Sequence, residues 1–488
     1  MKLSELLKNV PHKILQGSSE CEISSVIYDS RQAKPGSLFI CVKGYQTDGH
    51  LYISQAVDLG ASAIVVEEPQ QINDKAVVVQ VTDTRGTMPA IAAAFYGHPS
   101  HKLKLIGVTG TNGKTTVTYM IKAILDLAGY KTGLLGTISN WIGNEPLGTI
   151  RATPESVDFQ QLLSRMANQK VDVCVMEVSS HSLALQRVDH TLFHTGTFTN
   201  LSEDHLDFHP TMDAYFEEKL KLFYMTKNGN LINADDAYGK KMSRKLKADG
   251  IECLCYGIEE ENDLIASDIQ LSIQGVTFKA TGLGMNHSIV LGIPGRFTIY
   301  NALAAIGTAR ILNIDPAIIV QALKSMAGVP GRLERVQHID DFSVIVDYAH
   351  TPDALENVLE TIQQFANKRV ITVFGCGGDR DQKKRPIMGE IAGKMSDLSI
   401  VTSDNPRSEE PASILRMIEA GIKRTEGQYT VIENRKEAIR YAIQVAEPGD
   451  VVLIAGKGHE TTQTIGHVTT HFDDREIAFQ IAKEEGRK

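Results

Sequence analysis

Short apolar runs alternate with amphipathic stretches along most of this chain, most clearly in its last third. Apolar runs at 343–346, 370–374, 398–402 and 450–454 read as strands. Helical periodicity predicts helices over 352–365, 385–394, 412–422 and 436–445. Strands separated by amphipathic helices imply a parallel sheet with helical crossovers. The middle of the chain opens with an apolar run at 103–108, a glycine-rich turn and a helix from Lys114 to about residue 128. Further buried strands read at 171–178 and 195–199. The first part mixes strands at 38–42, 63–66 and 76–81 with helices at 52–59 and 88–96. Two joints interrupt the pattern, one at His98-Pro99-Ser100-His101 and one between Gly328 and Arg332, after a helix at 316–326. They divide the chain into 1–98, 99–330 and 331–488. In parallel sheets ligands bind beyond the carboxyl ends of the strands, so the turns that follow strands are where chemistry is expected.

Composition narrows the classes. The chain has 488 residues, 42% apolar and 22% charged, with a net charge of −9. That is ordinary globular composition with material for several cores. No apolar run approaches the 18 or so residues that span a bilayer, and the N-terminus lacks the apolar block of a signal peptide. The six cysteines, Cys21, Cys41, Cys174, Cys253, Cys255 and Cys376, show no framework spacing, so free thiols in a reducing cytoplasm are expected. Cys253 and Cys255 lack the second pair that a metal site needs. The acidic balance argues against a nucleic-acid partner. A monomer acting on small molecules, with no membrane or nucleic acid, is the expectation.

One turn carries phosphate chemistry. Gly107-Val-Thr-Gly110-Thr111-Asn112-Gly113-Lys114-Thr115-Thr116 follows a strand and starts a helix. Glycines let backbone N–H groups close around phosphate oxygens, and the helix N-terminus adds partial positive charge. Lys114 can reach the terminal phosphates, and a threonine hydroxyl can hold Mg²⁺. The usual spacing puts glycine where Val108 stands; here the pattern is G-x-x-G-K-T-T. The expected fold is therefore α/β in three domains. These are a smaller N-terminal α/β domain, a central P-loop-type mostly parallel sheet with flanking helices, and a C-terminal Rossmann-like α/β domain.

The compact G-T-N-G-K-T-T loop resembles that of the Mur ligase family, and about ten motifs carry the resemblance, in order, over essentially the whole chain. Within the family it resembles the enzymes that add the third amino acid to the peptide of a peptidoglycan precursor. The resemblance implies a UDP-substrate-binding N-terminal domain, a central ATP-binding domain and a C-terminal amino-acid-binding domain. Asp29-Ser30-Arg31 resembles the segment that holds the uridine nucleotide, with Ser30 as contact. Gly110, Thr111, Asn112, Gly113, Lys114, Thr115 and Thr116 resemble the ATP loop. Ala152-Thr153-Pro154 resembles the segment touching the muramoyl peptide, with Ala152 where the family usually has threonine. Glu177-Val-Ser179-Ser180-His181 matches a motif that implies Glu177 as a magnesium ligand and Ser180 as a substrate contact. Gln186 and Arg187 resemble further substrate contacts. Asn200-Leu-Ser-Glu-Asp204-His205-Leu-Asp207 implies His205 as a second metal ligand. Tyr215 followed by Lys219 resembles the segment whose lysine is carbamoylated, which implies a CO₂-derived carbamate on Lys219 (N6-carboxylysine). Asn301, Arg332 and Asp347 resemble ATP contacts. Arg380, Asp404, Asn405, Pro406, Arg407, Gly456 and Glu460 resemble the pocket for meso-diaminopimelate.

The implied reaction is ATP-dependent amide ligation. ATP, with Mg²⁺, activates the side-chain carboxylate of UDP-N-acetylmuramoyl-L-alanyl-D-glutamate as an acyl phosphate, and the amine of meso-diaminopimelate attacks. The resemblance makes Lys114, Lys219, Glu177 and His205 the catalytic set and Thr115 an additional metal ligand. The residues alone speak unevenly. A carboxylate at the end of a buried strand, as at Glu177, has no packing reason to sit there. Lys219, in Phe216-Glu-Glu-Lys-Leu-Lys-Leu-Phe223, reads by itself as part of a solvated helical face. Arg407 presents a planar fork suited to a carboxylate, which favours diaminopimelate over lysine. Lysine addition, a folylpolyglutamate synthetase and a nucleotide switch without ligase chemistry stay open as alternatives. Trp141 reads as part of a polar loop with no role.

Overall fold

In the computed structural model every residue is described except 45–46, 70–75, 149–151, 206–207, 273, 327, 338, 340 and 488. The chain forms two compact units. The first comprises Met1–Lys114, Leu125–Cys255 and Ile311–Asn313; the second comprises Thr115–Ile124, Tyr256–Arg310 and Ile314–Lys488.

The first unit holds a five-stranded sheet in the order Lys13–Gln16, Val77–Gln80, Ala61–Val66, Ser37–Ile40, Ser25–Ile27. Only the first pair is antiparallel. Its strands are apolar on both faces. Leu38 and Val79 join one core with Met88 and Ile91 of the helix Thr84–Phe95, while Phe39 and Val78 join another with Ile53 and Ala56 of the helix Ile53–Asp58. Double burial explains why these strands read as unbroken apolar runs.

The same unit carries strands in the order Asn230–Asn233, Thr195–Phe198, Lys104–Thr109, Val173–Glu177, Thr132–Leu135, all parallel, then Asn140–Ile142 and Glu145–Leu147, antiparallel. The strand before the phosphate loop thus lies between two parallel neighbours. Glu177 is in register with Val108, and Phe198 with Thr109, so three strand ends arrive level at Gly110. Trp141 lies in the strand Asn140–Ile142 rather than in a loop. The short apolar–polar spacing there gave too little periodicity to read.

The second unit contains a meander of Leu264–Ser272, Gly275–Gly282 and Met285–Leu291. Sequence pattern missed it, because its strands face solvent on one side and carry polar residues at alternate positions. A six-stranded sheet follows in the order Glu334–Arg335, Ser343–Asp347, Val451–Ala455, Val370–Phe374, Leu398–Val401, Tyr429–Val431. Only its first pair is antiparallel. Ile345 and Leu453 pack on one side with Leu355, Met388 and Ile418, from the helices Pro352–Gln363, Lys384–Met395 and Pro411–Ile422. Val344, Val452 and Ile454 pack on the other with Ile439 and Ile481, from Arg435–Val445 and Asp474–Glu484. Helices on both faces of a mostly parallel sheet are the doubly wound arrangement that the alternation predicts. A hairpin, Thr462–Ile465 with Val468–His471, was not foreseen. None of the six cysteines is in a disulfide. Among the described residues no helix is long and apolar enough to cross a membrane.

Candidate active site

The phosphate loop is tied down by the segment after the strand Thr195–Phe198. Thr111 N–H donates to Asn200 O (2.8 Å), Asn112 N–H to Asn200 Oδ1 (2.9 Å), and Thr199 Oγ1 to Asn112 O (2.6 Å). The fit leaves no room at Gly110. Its φ is +150°, and a Cβ there would stand 1.8 Å from Thr199 Oγ1. Gly110→Ala is therefore expected to displace the loop, costing about 1–3 kcal/mol of stability together with nucleotide binding. Thermal unfolding with and without ADP checks this: the variant should melt lower and gain nothing from added nucleotide.

Two lysines converge on this loop. Lys114 Nζ donates to Gly110 O (2.8 Å) and Thr111 O (2.7 Å), and Lys219 Nζ donates to the same Gly110 O (2.8 Å). Lys219 is 1% exposed, so the solvated-face reading is overturned. The helix Met212–Tyr224 buries it beside Tyr215, whose ring lies 4.6 Å from Nζ and whose hydroxyl is 3.2 Å from Thr111 Oγ1. Burial, and next the charge of Lys114, push its ammonium well below the usual lysine range, against a smaller opposing effect of Asp204. Lys221 is half-exposed and paired with Glu218. Two nitrogens against one carbonyl oxygen is an arrangement that nearby anions would relieve.

Glu177 is 1% exposed at the end of its strand. Its oxygens accept from Thr137 N–H and Thr137 Oγ1, both at 2.9 Å. Thr153 Oγ1 donates to Glu177 O (2.9 Å), which brings the Ala152–Thr153 segment beside it. Ser179 caps the helix Ser180–Ala184, and Ser180 Oγ is buried with no hydrogen-bond partner among the described residues. His205 is partly exposed, 3.4 Å from Asp204 Oδ2, with its ring 4.7 Å from that of His181. Asp207 lies outside the described residues. Among the described residues no group of three or more His, Cys, Asp or Glu side chains is assembled to hold a metal. An amine at Lys219 offers a cation no anion. The donor chemistry of Glu177, His205 and Lys219 fits a hard divalent ion once Lys219 bears a carbamate.

A cleft of about 860 Å³ in the first unit contains Ser30, Arg31, Arg85, Glu155 and Arg187. Ser30 Oγ donates to Gln55 Oε1 (2.8 Å), and Arg187 pairs with Glu155 (2.9 Å). Gln186 lies against Gly86 at the start of the helix Thr84–Phe95. Ser30 and Arg187, far apart in sequence, thus share one cleft. Arg85 was missed: it sits in an inconspicuous helix start, and only the fold brings it to Glu155 (3.6 Å).

In the second unit Asp347, Gly456 and the Asp404–Arg407 turn stand at the carboxyl ends of parallel strands. Asp347 accepts from Leu333 N–H (2.7 Å) and Ala349 N–H (2.9 Å), while burial raises its pKa. Arg332 lies over the Tyr348 ring (4.8 Å), and its Nη2 is 3.5 Å from Thr115 Oγ1. Burial, then the charge of Arg332 and other cations, lowers the pKa of His459 to about 4. Asn301 is buried in the helix Arg296–Ile311, and Thr116 is likewise buried. Arg407 has φ +53° and donates from Nη1 to Gly378 O (2.8 Å). Gly378 has no room for a side chain because Pro406 O lies against it, and Arg380 and Arg407 both flank Gly377. Asn405 Nδ2 donates to Glu460 Oε2 (2.9 Å). Asp404 Oδ2, like Arg332 Nε and Ser180 Oγ, is buried without a hydrogen-bond partner among the described residues. These three atoms fall on residues expected to touch ligands.

Family models match over three stretches: "Mur ligase family, catalytic domain" over residues 22–96, "Mur ligase middle domain" over 108–309, and "Mur ligase, glutamate ligase domain" over 331–458. A protein of Alkaliphilus metalliredigens named UDP-N-acetylmuramoyl-L-alanyl-D-glutamate--2,6-diaminopimelate ligase is 52% identical over 486 residues, covering 100% of this chain and 98% of the relative. The chain belongs to the Mur ligase family. A protein of Clostridioides difficile with the same name is 48% identical over 478 residues, covering 98% of this Mur ligase and 99% of the relative. A solved structure titled as the same ligase superposes with a TM-score of 0.72 at 29% identity, covering both chains fully. The MurF ligase of Thermotoga maritima in complex with ADP shares the fold, with a TM-score of 0.62 at 18% identity over 94% of this chain and 97% of that one. The three-domain α/β fold of the Mur ligases is thus the fold of this chain.

Proposed function

We propose that this chain is the ATP-dependent ligase that joins meso-diaminopimelate to UDP-N-acetylmuramoyl-L-alanyl-D-glutamate, a step of peptidoglycan precursor synthesis in the cytoplasm. The observation that carries the choice of amino acid is the Asp404–Arg407 turn with Glu460. It sets one guanidinium fork and two carboxylates at the end of a parallel sheet, complementary to the carboxylate and ammonium of an amino-acid head. Meso-diaminopimelate carries such a head at both ends, whereas the side chain of lysine ends in a bare ammonium that Arg407 repels.

The dipeptide's terminal side-chain carboxylate attacks the γ-phosphorus of ATP, giving an acyl phosphate and ADP. The amine of diaminopimelate then attacks the acyl carbon, and phosphate leaves from the tetrahedral intermediate. Lys114 exchanges its loop carbonyls for phosphate oxygens, which are stronger acceptors for an ammonium. Arg332 and Asn301 serve ATP, and Asp347 fixes the turn carrying Arg332 through Leu333 N–H. Ser30, Arg31, Arg85 and Arg187 give the nucleotide diphosphate a cationic cleft. Ala152, Thr153, Ser180 and Gln186 line the path of the peptide, and Arg380 joins Arg407 around the amino acid. Mg²⁺, held by Glu177, His205 and the carbamate of Lys219, with Thr115, would neutralise charge on the transferred phosphoryl group. Burial, and next the charge of Lys114, lower the pKa of Lys219, the direction that favours the amine carbamate formation requires. The protein acts as a monomer.

Phosphate release from ATP, measured with the UDP-dipeptide and a panel of amino acids, tests the reading. Release should depend on an amino acid and be fastest with meso-diaminopimelate. Faster release with L-lysine would remove the specificity claim, and release needing no amino acid would remove the ligase.

A further inference from the structure

We propose that Lys457 is a positioning residue of the amino-acid site, acting through Glu460 and Asn405; this rests on the Asp404–Arg407 turn being that site. Lys457 follows the strand Val451–Ala455 and is fully buried, a placement that lysine accepts only when paired. Gly456 and Gly458 flank it with φ of +116° and +54°. Its Nζ donates to Thr462 O, at the start of the hairpin, and to Glu460 Oε2 at 3.3 Å. The same Oε2 accepts from Asn405 Nδ2 at 2.9 Å, and Asn405 Oδ1 accepts from Thr464 N–H at 2.9 Å. Two donors hold one oxygen of Glu460, and its other oxygen remains for the ammonium of the incoming amino acid. The hairpin is fastened to the same turn: Gln463 Nε2 donates to Asp404 O (2.7 Å), Arg407 N–H to Thr464 O (3.1 Å), and Gly466 N–H to Arg407 O (2.7 Å). Lys457 therefore connects the carboxylate that meets the ligand to the hairpin that holds Asn405 and Arg407. It touches no ligand itself.

The experiment is a double-mutant cycle on the full chain with Lys457→Met and Glu460→Gln, reading KM for each substrate and the thermal midpoint. Lys457→Met should raise KM for meso-diaminopimelate by roughly tenfold or more, with KM for ATP and for the UDP-dipeptide within about twofold of wild type. The double variant should be no worse than Glu460→Gln alone, because both act on one oxygen. Lys457→Arg, which keeps its donors, should recover most of the loss. Equal rises in every KM, a loss in kcat alone, or multiplying effects in the double variant would overturn the proposal. So would failure of both Lys457→Met and Lys457→Arg to fold, since the lysine would then be structural. If wild type prefers L-lysine, the diaminopimelate reading fails, and the cycle is run with lysine.

Discussion

Lys219→Ala is expected to lose activity on the order of 10³-fold, because it removes a group set against the carbonyl that also holds Lys114. The fold should survive. The alanine loses buried methylenes, each worth about 0.8 kcal/mol, but the variant no longer buries an amino group beside that of Lys114. Those effects oppose each other, so thermal melting should shift by only a few degrees. A small added carboxylate, entering the space left by the side chain, should restore part of the rate, since an anion is what the proposed carbamate contributes there. Full activity in the alanine variant would show that Lys219 needs no modification. Inactivity with a collapsed melting point would show that it is a packing residue.

Arg407→Asn is the second large effect. Asparagine tolerates the left-handed backbone at this position, where φ is +53°, so the substitution removes the guanidinium without adding strain. Losing the partner of a desolvated carboxylate should lower kcat/KM for meso-diaminopimelate by roughly two to three orders of magnitude. The rate with L-lysine should hold or rise, because the repulsion of its side-chain ammonium is gone. Measuring kcat/KM for both amino acids on wild type and variant checks this. A proportional fall for both would mean that Arg407 supports the pocket without selecting the substrate.

Much of this site was legible because of where its residues fall in the chain. The phosphate loop and Glu177 follow buried apolar strands of one sheet, Asp347, the Asp404–Arg407 turn and Gly456 those of another, and each sheet collects its parallel strand ends on one edge. Thr137 and Lys457 follow strands too, and the same rule would have found them had every such turn been read. Lys219 and Arg85 could not be read that way. Both lie on helices, where periodicity gives one face to the core and one to solvent but does not say what else covers the solvent face. For Lys219 the covering is the phosphate loop itself, whose Gly110 lies 109 residues earlier in the chain. The meander at 264–291 escaped for a related reason, since half its positions face water.

By itself, the sequence determined the alternation of strands and helices, the turns that carry chemistry and, through motifs in a fixed order, the family. These are local: strand burial, helical periodicity and turn chemistry depend on residues within a few positions of one another. Tertiary structure alone decided that Lys219 is buried against Gly110, that Ser30, Arg85 and Arg187 share one cleft, and that a hairpin holds Arg407 in a left-handed conformation. Each depends on groups brought together across long stretches of chain, where burial changes the charge a residue can hold and packing fixes the oxygen it meets.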